Sequence, residues 1–164
     1  MNGPKKHAHC SYCGNAFASD QPWPRACPLC GNVIYVNPVP VAVVLVPVGD
    51  GLLVIRRAIA PAVGQLALPG GFMELHETWQ QACARELREE TGLEAEADAI
   101  RLFAVHSAAQ GLLLVFGLAP KWLSDDLPDF VPNDEASEMV ILGCPLPLAF
   151  PLHTLVVADY FDGL

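Results

Sequence analysis

The apolar positions fall into a few blocks with different periods. Residues 39–48 are apolar throughout and broken only by Pro40 and Pro47, a run that predicts one long buried strand. Gly49-Asp50-Gly51 then turns the chain, and residues 52–56 return it, which is a hairpin signature. Thr78 followed three residues later by Gln81 is a capping-box pattern. It predicts a helix that starts near Thr78 and stops at Gly92, a residue able to take the left-handed C-terminal conformation. Glu94, Glu96 and Asp98 alternate with alanines, which predicts a solvated strand edge, and residues 100–106 and 112–118 read as apolar strands. Residues 124–138 hold six acids together with Pro128, Pro132 and Asn133 and read as a loop. Residues 139–142 form a short strand, and Pro151 at a first helical position opens a last amphipathic helix to about Phe161.

This order predicts the α/β class. With 164 residues and 52% hydrophobic content the chain suits one compact domain plus a small appendage. The boundary falls where residues 34–38 leave a cysteine-rich segment, giving units 1–37 and 38–164. The ten-residue apolar run is far below the roughly 20 needed to cross a bilayer, so no membrane association is expected. Lys5, Lys6 and His7 are not followed by an apolar stretch, so a cytoplasmic location is the expectation.

Cys10-Ser-Tyr-Cys13-Gly14 and Cys27-Pro-Leu-Cys30-Gly31 are two matching knuckles. Each turns tightly enough to aim two thiolates at one ion, and two of them complete a tetrahedral Zn²⁺ shell. Two disulfides or a redox pair are the alternatives. They fit an unsecreted chain with a duplicated motif less well. The residues between the knuckles are too poor in apolar side chains for a core, so metal binding must supply much of this segment's folding free energy. Cys83 and Cys144 read as small buried hydrophobes.

The chemistry is concentrated in residues 70–93, GGFMELHETWQQACARELREETGL. Glu86 and Glu90 are four apart and Glu86 and Glu89 three apart, so on a helix their carboxylates project from one face. Like charges at that spacing destabilise a bare helix. A hard divalent cation removes the penalty, since Mg²⁺ favours carboxylate and water oxygens between protein and phosphate. A solvated helix face with Arg85 and Glu89 as an i, i+4 pair is the plainer alternative. It leaves the glycines, Glu77 and Gly92 at their fixed offsets unexplained.

With Gly71, Glu77, Arg85-Glu86-Leu87-Arg88-Glu89-Glu90 and Gly92-Leu93 in this spacing, the stretch resembles the box of the Nudix hydrolases. The resemblance implies a mixed sheet sandwiched between helices, preceded here by a zinc ribbon, and Mg²⁺- or Mn²⁺-dependent hydrolysis of a diphosphate joining a nucleoside to another moiety. It makes Glu86, Glu89 and Glu90 the metal carboxylates and Glu77 and Arg85 the braces of the loop and helix. Gly70 and Gly71 approach metal or phosphate where a Cβ would interfere. His76 departs from the pattern, since many members have glycine there. By the same resemblance the acidic loop supplies a further metal ligand or base, with Glu135 and Glu138 as candidates.

Arg56 and Arg57 are candidates for holding substrate phosphates through bidentate contacts, against the alternative of a solvated strand-end pair. The ribbon, Tyr35-Val-Asn-Pro38 and Leu148-Ala-Phe-Pro151 resemble FAD and ADP-ribose pyrophosphatases. The NADH diphosphatases carry SQPWPFPxS after the box, and residues 106–112 do not match it. The expected partner is a small nucleotide, ADP-ribose or FAD, cut to AMP and a phosphorylated remainder. NADH or NAD diphosphatase, nucleoside triphosphate pyrophosphohydrolase and a non-catalytic ADP-ribose sensor are the alternative readings. The net charge of -9 disfavours nucleic acid, whose affinity rests on Lys and Arg. A homodimer is compatible with the sequence.

Overall fold

The computed structural model describes residues 6–163; Lys5 and the rest of 1–5, counted above in the ribbon unit, lie outside the described residues, as does Leu164. The chain divides into one unit ending at Pro38 and another beginning at Val39. In the first, strands β1 (Arg25–Ala26) and β2 (Val33–Ile34) pair antiparallel. The amides of Gly14 and Gly31 each bond back to the first cysteine of their knuckle, at 2.9 Å in both cases. His9 bridges to Ala16, and the His7 ring packs edge-on against Trp23.

The second unit has two sheets. The larger-faced one runs β7-β3-β9-β8, from β7 (Gly70–Phe72), β3 (Val39–Leu45), β9 (Leu112–Leu118) and β8 (Arg101–Ala108). It is mixed, since β3 runs parallel to β9 and the other pairs are antiparallel. The other sheet sets β5 (Gly51–Arg57) against β10 (Ala136–Leu142) on one side and the short strands β4 (Pro47–Val48) and β6 (Leu66–Ala67) on the other.

Strand β3 is buried on both faces, and its period of two distributes its side chains between two cores. Ala42 and Val44, with Val46 beyond the strand, join Ala82, Cys83 and Leu87 of helix α1 (Trp79–Thr91). Val43 and Leu45 join Phe116 and, from helix α2 (Pro151–Asp162), Val156 and Val157. The result is the expected sandwich of sheet between helices. Helix α1 carries the full capping box: Gln81 N–H donates to Thr78 Oγ1 at 3.2 Å, and Thr78 N–H to Gln81 Oε1 at 2.8 Å. It ends on Gly92 at φ 78°.

Four expectations need correction. The run 39–48 is not one strand: β3 ends at Leu45, and Pro47 and Val48 pair with β5 in the other sheet. Burial continues across the switch, so hydropathy gives no sign of it. Residues 94–98 are not a strand edge; Ala97–Ala99 make a 3-10 turn. Leu93 and Ile100 both bury in the core under α1, and the few residues between them must loop back over it. Strand β10 starts at Ala136, taking Glu138 out of the loop and opposite Arg56. Cys144 is exposed, while Cys83 is buried as expected.

Candidate metal and active site

Strand β7 leads into the loop 73–78 and then α1, and one guanidinium fastens all three. Arg85 donates from Nε and Nη2 to both carboxylate oxygens of Glu77, at 3.1 and 2.8 Å, and from Nη2 to the carbonyl of Phe72 at 3.0 Å. Its Nη1 reaches Glu86 Oε1 at 2.7 Å and Glu89 Oε2 at 3.1 Å. Glu77 Oε1 also accepts the Glu74 amide at 2.6 Å. These bonds, the one from Arg85 first, hold the Glu77 carboxyl below its usual range. The bracing geometry is thus a bidentate pair plus two further carboxylates on a single planar fork.

Beside this brace, Glu86, Glu90 and Glu135 each place a carboxylate oxygen within 4.8 Å of the other two. Glu86 and Glu90 are buried, and Glu135 is exposed at the end of the acidic loop. Gly70 N–H donates to Glu90 Oε2 at 2.8 Å. Burial, followed after that bond by the charges of Glu86 and Glu135, pushes the Glu90 carboxyl up to about 8, although Arg57 acts in the opposite sense. Burial also raises Glu86. Crowded oxygen donors that resist ionising together are a donor set suited to a hard divalent cation, whose charge reverses the local penalty.

The glycines leave the room this arrangement requires. A Cβ on Gly71 would lie 2.5 Å from Glu86 Oε1. Gly70 sits at φ 153°, where a Cβ would run into the carbonyl oxygen of Ala42 on β3.

The three-acid group differs in membership from the set expected on the helix. Residues four apart diverge by about 40° around the axis and residues three apart by about 60° the other way. Glu90 therefore turns inward with Glu86, while Glu89 stays half-exposed on Arg85. Glu138 is likewise outside the group and pairs with Arg56 Nε at 2.6 Å. Arg56 also donates to the Gly64 carbonyl at 3.0 Å. Arg57 donates to the carbonyls of Pro61 at 2.8 Å and Ile59 at 3.3 Å and lies over the Phe150 ring. Both arginines tie down the loop 58–65.

Two residues at the site escaped sequence reasoning. Asn133 bonds the acidic loop to the end of α1, and buried His153 accepts the Leu68 amide at 3.2 Å just ahead of Gly70. A lone Asn in an acidic loop and a His in a helical pattern carry no signal that separates them from ordinary loop and core residues.

In the first unit, the Sγ atoms of Cys10, Cys13, Cys27 and Cys30 lie within 4.8 Å of one another, with Cys10 to Cys30 at 3.7 Å and Cys13 to Cys27 at 3.6 Å. All four are free thiols. A tetrahedral ion with bonds of about 2.3 Å to sulfur requires edges of about 3.8 Å, so the cluster fits zinc.

The family described as NUDIX domain matches residues 36–138. Among curated proteins, the NAD-capped RNA hydrolase NudC of Edwardsiella ictaluri is 33% identical over 93 residues, 56% of this chain and 36% of that protein. The ADP-ribose pyrophosphatase of Methanocaldococcus jannaschii is 40% identical over 60 residues, 37% of this chain and 36% of that protein. The chain spans about a third of the length of these curated relatives. A solved NUDIX hydrolase from Nitrosomonas europaea matches at 32% identity and TM-score 0.77, over 94% of this chain and 90% of that one. With the box, its brace and its glycine loop assembled in a sandwich of this kind, and with a family match across most of the second unit, the chain belongs to the Nudix family.

Proposed function

We propose that this protein hydrolyses the diphosphate of a nucleoside diphosphate joined to a second moiety, ADP-ribose or FAD, giving AMP and a phosphorylated remainder. The observation that carries the reading is the convergence of Glu86, Glu90 and Glu135 next to the Gly70 amide. Those carboxylates would hold Mg²⁺ or Mn²⁺, which when bound supplies charge for the phosphate oxygens and lowers the pKa of water. In the reaction, water oxygen forms a bond to one phosphorus, the bond from that phosphorus to the bridging oxygen breaks, and the bridging oxygen leaves on the other phosphate.

The residues divide this work. Arg85 and Glu77 fix the loop and helix, and Gly70 and Gly71 keep the approach open. Glu135 is exposed and outside the salt-bridge network, so with one carboxylate oxygen on the metal its other oxygen would be better placed to take the water's proton than Glu89 on Arg85 or Glu138 on Arg56. For Arg56 or Arg57 to hold a substrate phosphate, each would have to leave its present partners. In the first unit Cys10, Cys13, Cys27 and Cys30 would hold a structural Zn²⁺ with no open position.

A second reading, hydrolysis of NADH or of an NAD-capped RNA, is favoured by the 33% identity to NudC over 93 residues. Product analysis with ADP-ribose, FAD, NADH, NAD-capped RNA and nucleoside triphosphates separates the readings. Ribose 5-phosphate or FMN alongside AMP is the expected outcome, whereas a highest kcat/KM on NADH or capped RNA would transfer the assignment to the second reading. Pyrophosphate release would indicate a triphosphate substrate. ADP-ribose binding without turnover in Mg²⁺ or Mn²⁺ would mean a sensor.

A further inference from the structure

We infer that Asn133 is a positioning residue for this site: it brackets the acidic loop onto the last turn of α1 and so places Glu135 against Glu86 and Glu90. The inference rests on the metal-dependent reading above. The side-chain amide of Asn133 uses both ends. Its Nδ2 donates to the carbonyls of Glu89 at 3.1 Å and Glu90 at 3.3 Å. Its Oδ1 accepts the amides of Glu135 at 2.9 Å and Ala136 at 2.8 Å.

The carbonyls at the end of a helix have no partners within it, so a donor from outside is bound where it also meets a need. Turning the amide over would face Nδ2 toward two N–H groups and Oδ1 toward two carbonyls, so the pattern fixes its orientation. Only an amide of this length offers donors at one end and an acceptor at the other. Aspartate would set a carboxylate oxygen against two carbonyls, and serine would reach one side alone.

Glu135 has no other side-chain tie to α1 among the described residues. Every residue from 131 to 135 is exposed, so the loop has no apolar anchor there, and Ala136 is the first buried residue after it. The backbone of Glu135 has two bonds: its amide to Asn133 Oδ1, and its carbonyl, which accepts the Ala58 amide at 2.8 Å. Of these, only the Asn133 bracket reaches the helix that carries Glu86 and Glu90. The segment of α1 it grips is the backbone of Glu89 and Glu90, so this one side chain ties Glu135 directly to the helix that carries Glu90, while the Ala58 bond and β10 tie it to the sheet.

The test is direct Mn²⁺ binding, read from the paramagnetic signal of the free ion, by the zinc-loaded full chain without nucleotide. Glu135→Gln is expected to weaken binding, and Asn133→Ala to weaken it about tenfold or more, the usual range for a group that orients a metal ligand. If the bracket acts through Glu135, the double variant binds no more weakly than Glu135→Gln alone. A bracket that merely stabilises the loop would lower the unfolding midpoint and leave the two losses multiplicative, which would overturn the inference. So would wild-type affinity in Asn133→Ala. If that variant does not fold, Asn133→Ser keeps an acceptor for the loop amides and loses the bridge to α1; the same loss is expected, and undiminished affinity would overturn the inference. If Glu90→Gln weakens Mn²⁺ binding and Glu135→Gln does not, the placement of Glu135 serves no metal: this inference falls and the hydrolase reading stands. No Mn²⁺ binding by the wild type would remove both.

Discussion

The Gly70 amide and the Glu90 carboxylate, 2.8 Å apart, join the glycine strand to the box helix across the most buried acid of the protein. That single bond does not offset burial and two neighbouring carboxylates, so the charge on Glu90 is held at a cost to stability, which the proposed metal role would explain. Glu90→Gln keeps an oxygen for the Gly70 amide and removes the charge. Turnover is expected to fall by about a hundredfold or more, as when electrostatic stabilisation is taken from a phosphoryl-transfer site. Metal-free stability, read from denaturant midpoints in a chelator, should hold or rise. A drop in both would mark Glu90 as a structural acid.

His76 has φ 74°, the left-handed region that many family members fill with glycine. A residue with a Cβ is strained there by about 1–2 kcal/mol, partly offset by the greater unfolded-state entropy of glycine. His76→Gly should therefore raise stability by up to about 1 kcal/mol and leave turnover close to wild type. Loss of stability in the variant would show that the imidazole makes contacts worth more than the strain.

The box was legible because helix geometry turns spacing directly into placement: Glu86 and Glu90 converge wherever residues 79–91 are helical, and Thr78, Gln81 and Gly92 fix the ends. The knuckles are similarly local. What spacing could not supply was selection among neighbours. Whether Glu89 or Glu90 turns inward depends on which side of α1 the sheet covers, and whether Glu135 or Glu138 joins depends on where β10 begins. The change of sheet between Leu45 and Pro47 was hidden because both segments are buried. Asn133 acts through partners more than forty residues away on α1, a relationship with no local signature.

The ribbon has few apolar residues to bury, and Tyr12, Leu29 and Tyr35 are exposed. Its order should then depend on the metal. Elemental analysis is expected to give about one zinc per chain. After stripping with a strong chelator, limited proteolysis should cut ahead of Pro38 and leave a resistant fragment beginning near Val39, since the second unit has its own two cores. Two disulfides without zinc, or a chelated ribbon as resistant as before, would end the zinc assignment.

His153 provides a pH dependence whose sign can be worked out. Burial, with a smaller contribution from the charge of Arg57 on β5, lowers its pKa from 6.5 to about 4. The ring lies between Phe116 and Phe150, and its Nδ1 is already taken as acceptor for Leu68 N–H, so protonation would break that bond and bury a charge. Because the folded value is the lower one, the unfolded chain binds a proton first as the pH falls. The contribution is fully present above 6.5, is lost between 6.5 and about 4, and amounts to about 3 kcal/mol. His153→Asn keeps an acceptor near the Nδ1 position and does not titrate. Its packing loss is the same at every pH, and all other groups titrate alike in both proteins, so the stability gap between wild type and variant isolates this residue. Urea midpoints at pH values from 7.5 down to 4.5 should show that gap shrinking by most of the ~3 kcal/mol. In nuclear magnetic resonance spectra of the wild type, the His153 ring should stay largely unprotonated down to about pH 5. A gap independent of pH, together with a ring that titrates near 6.5, would mean that the imidazole is open to water and does not hold the Leu68 amide.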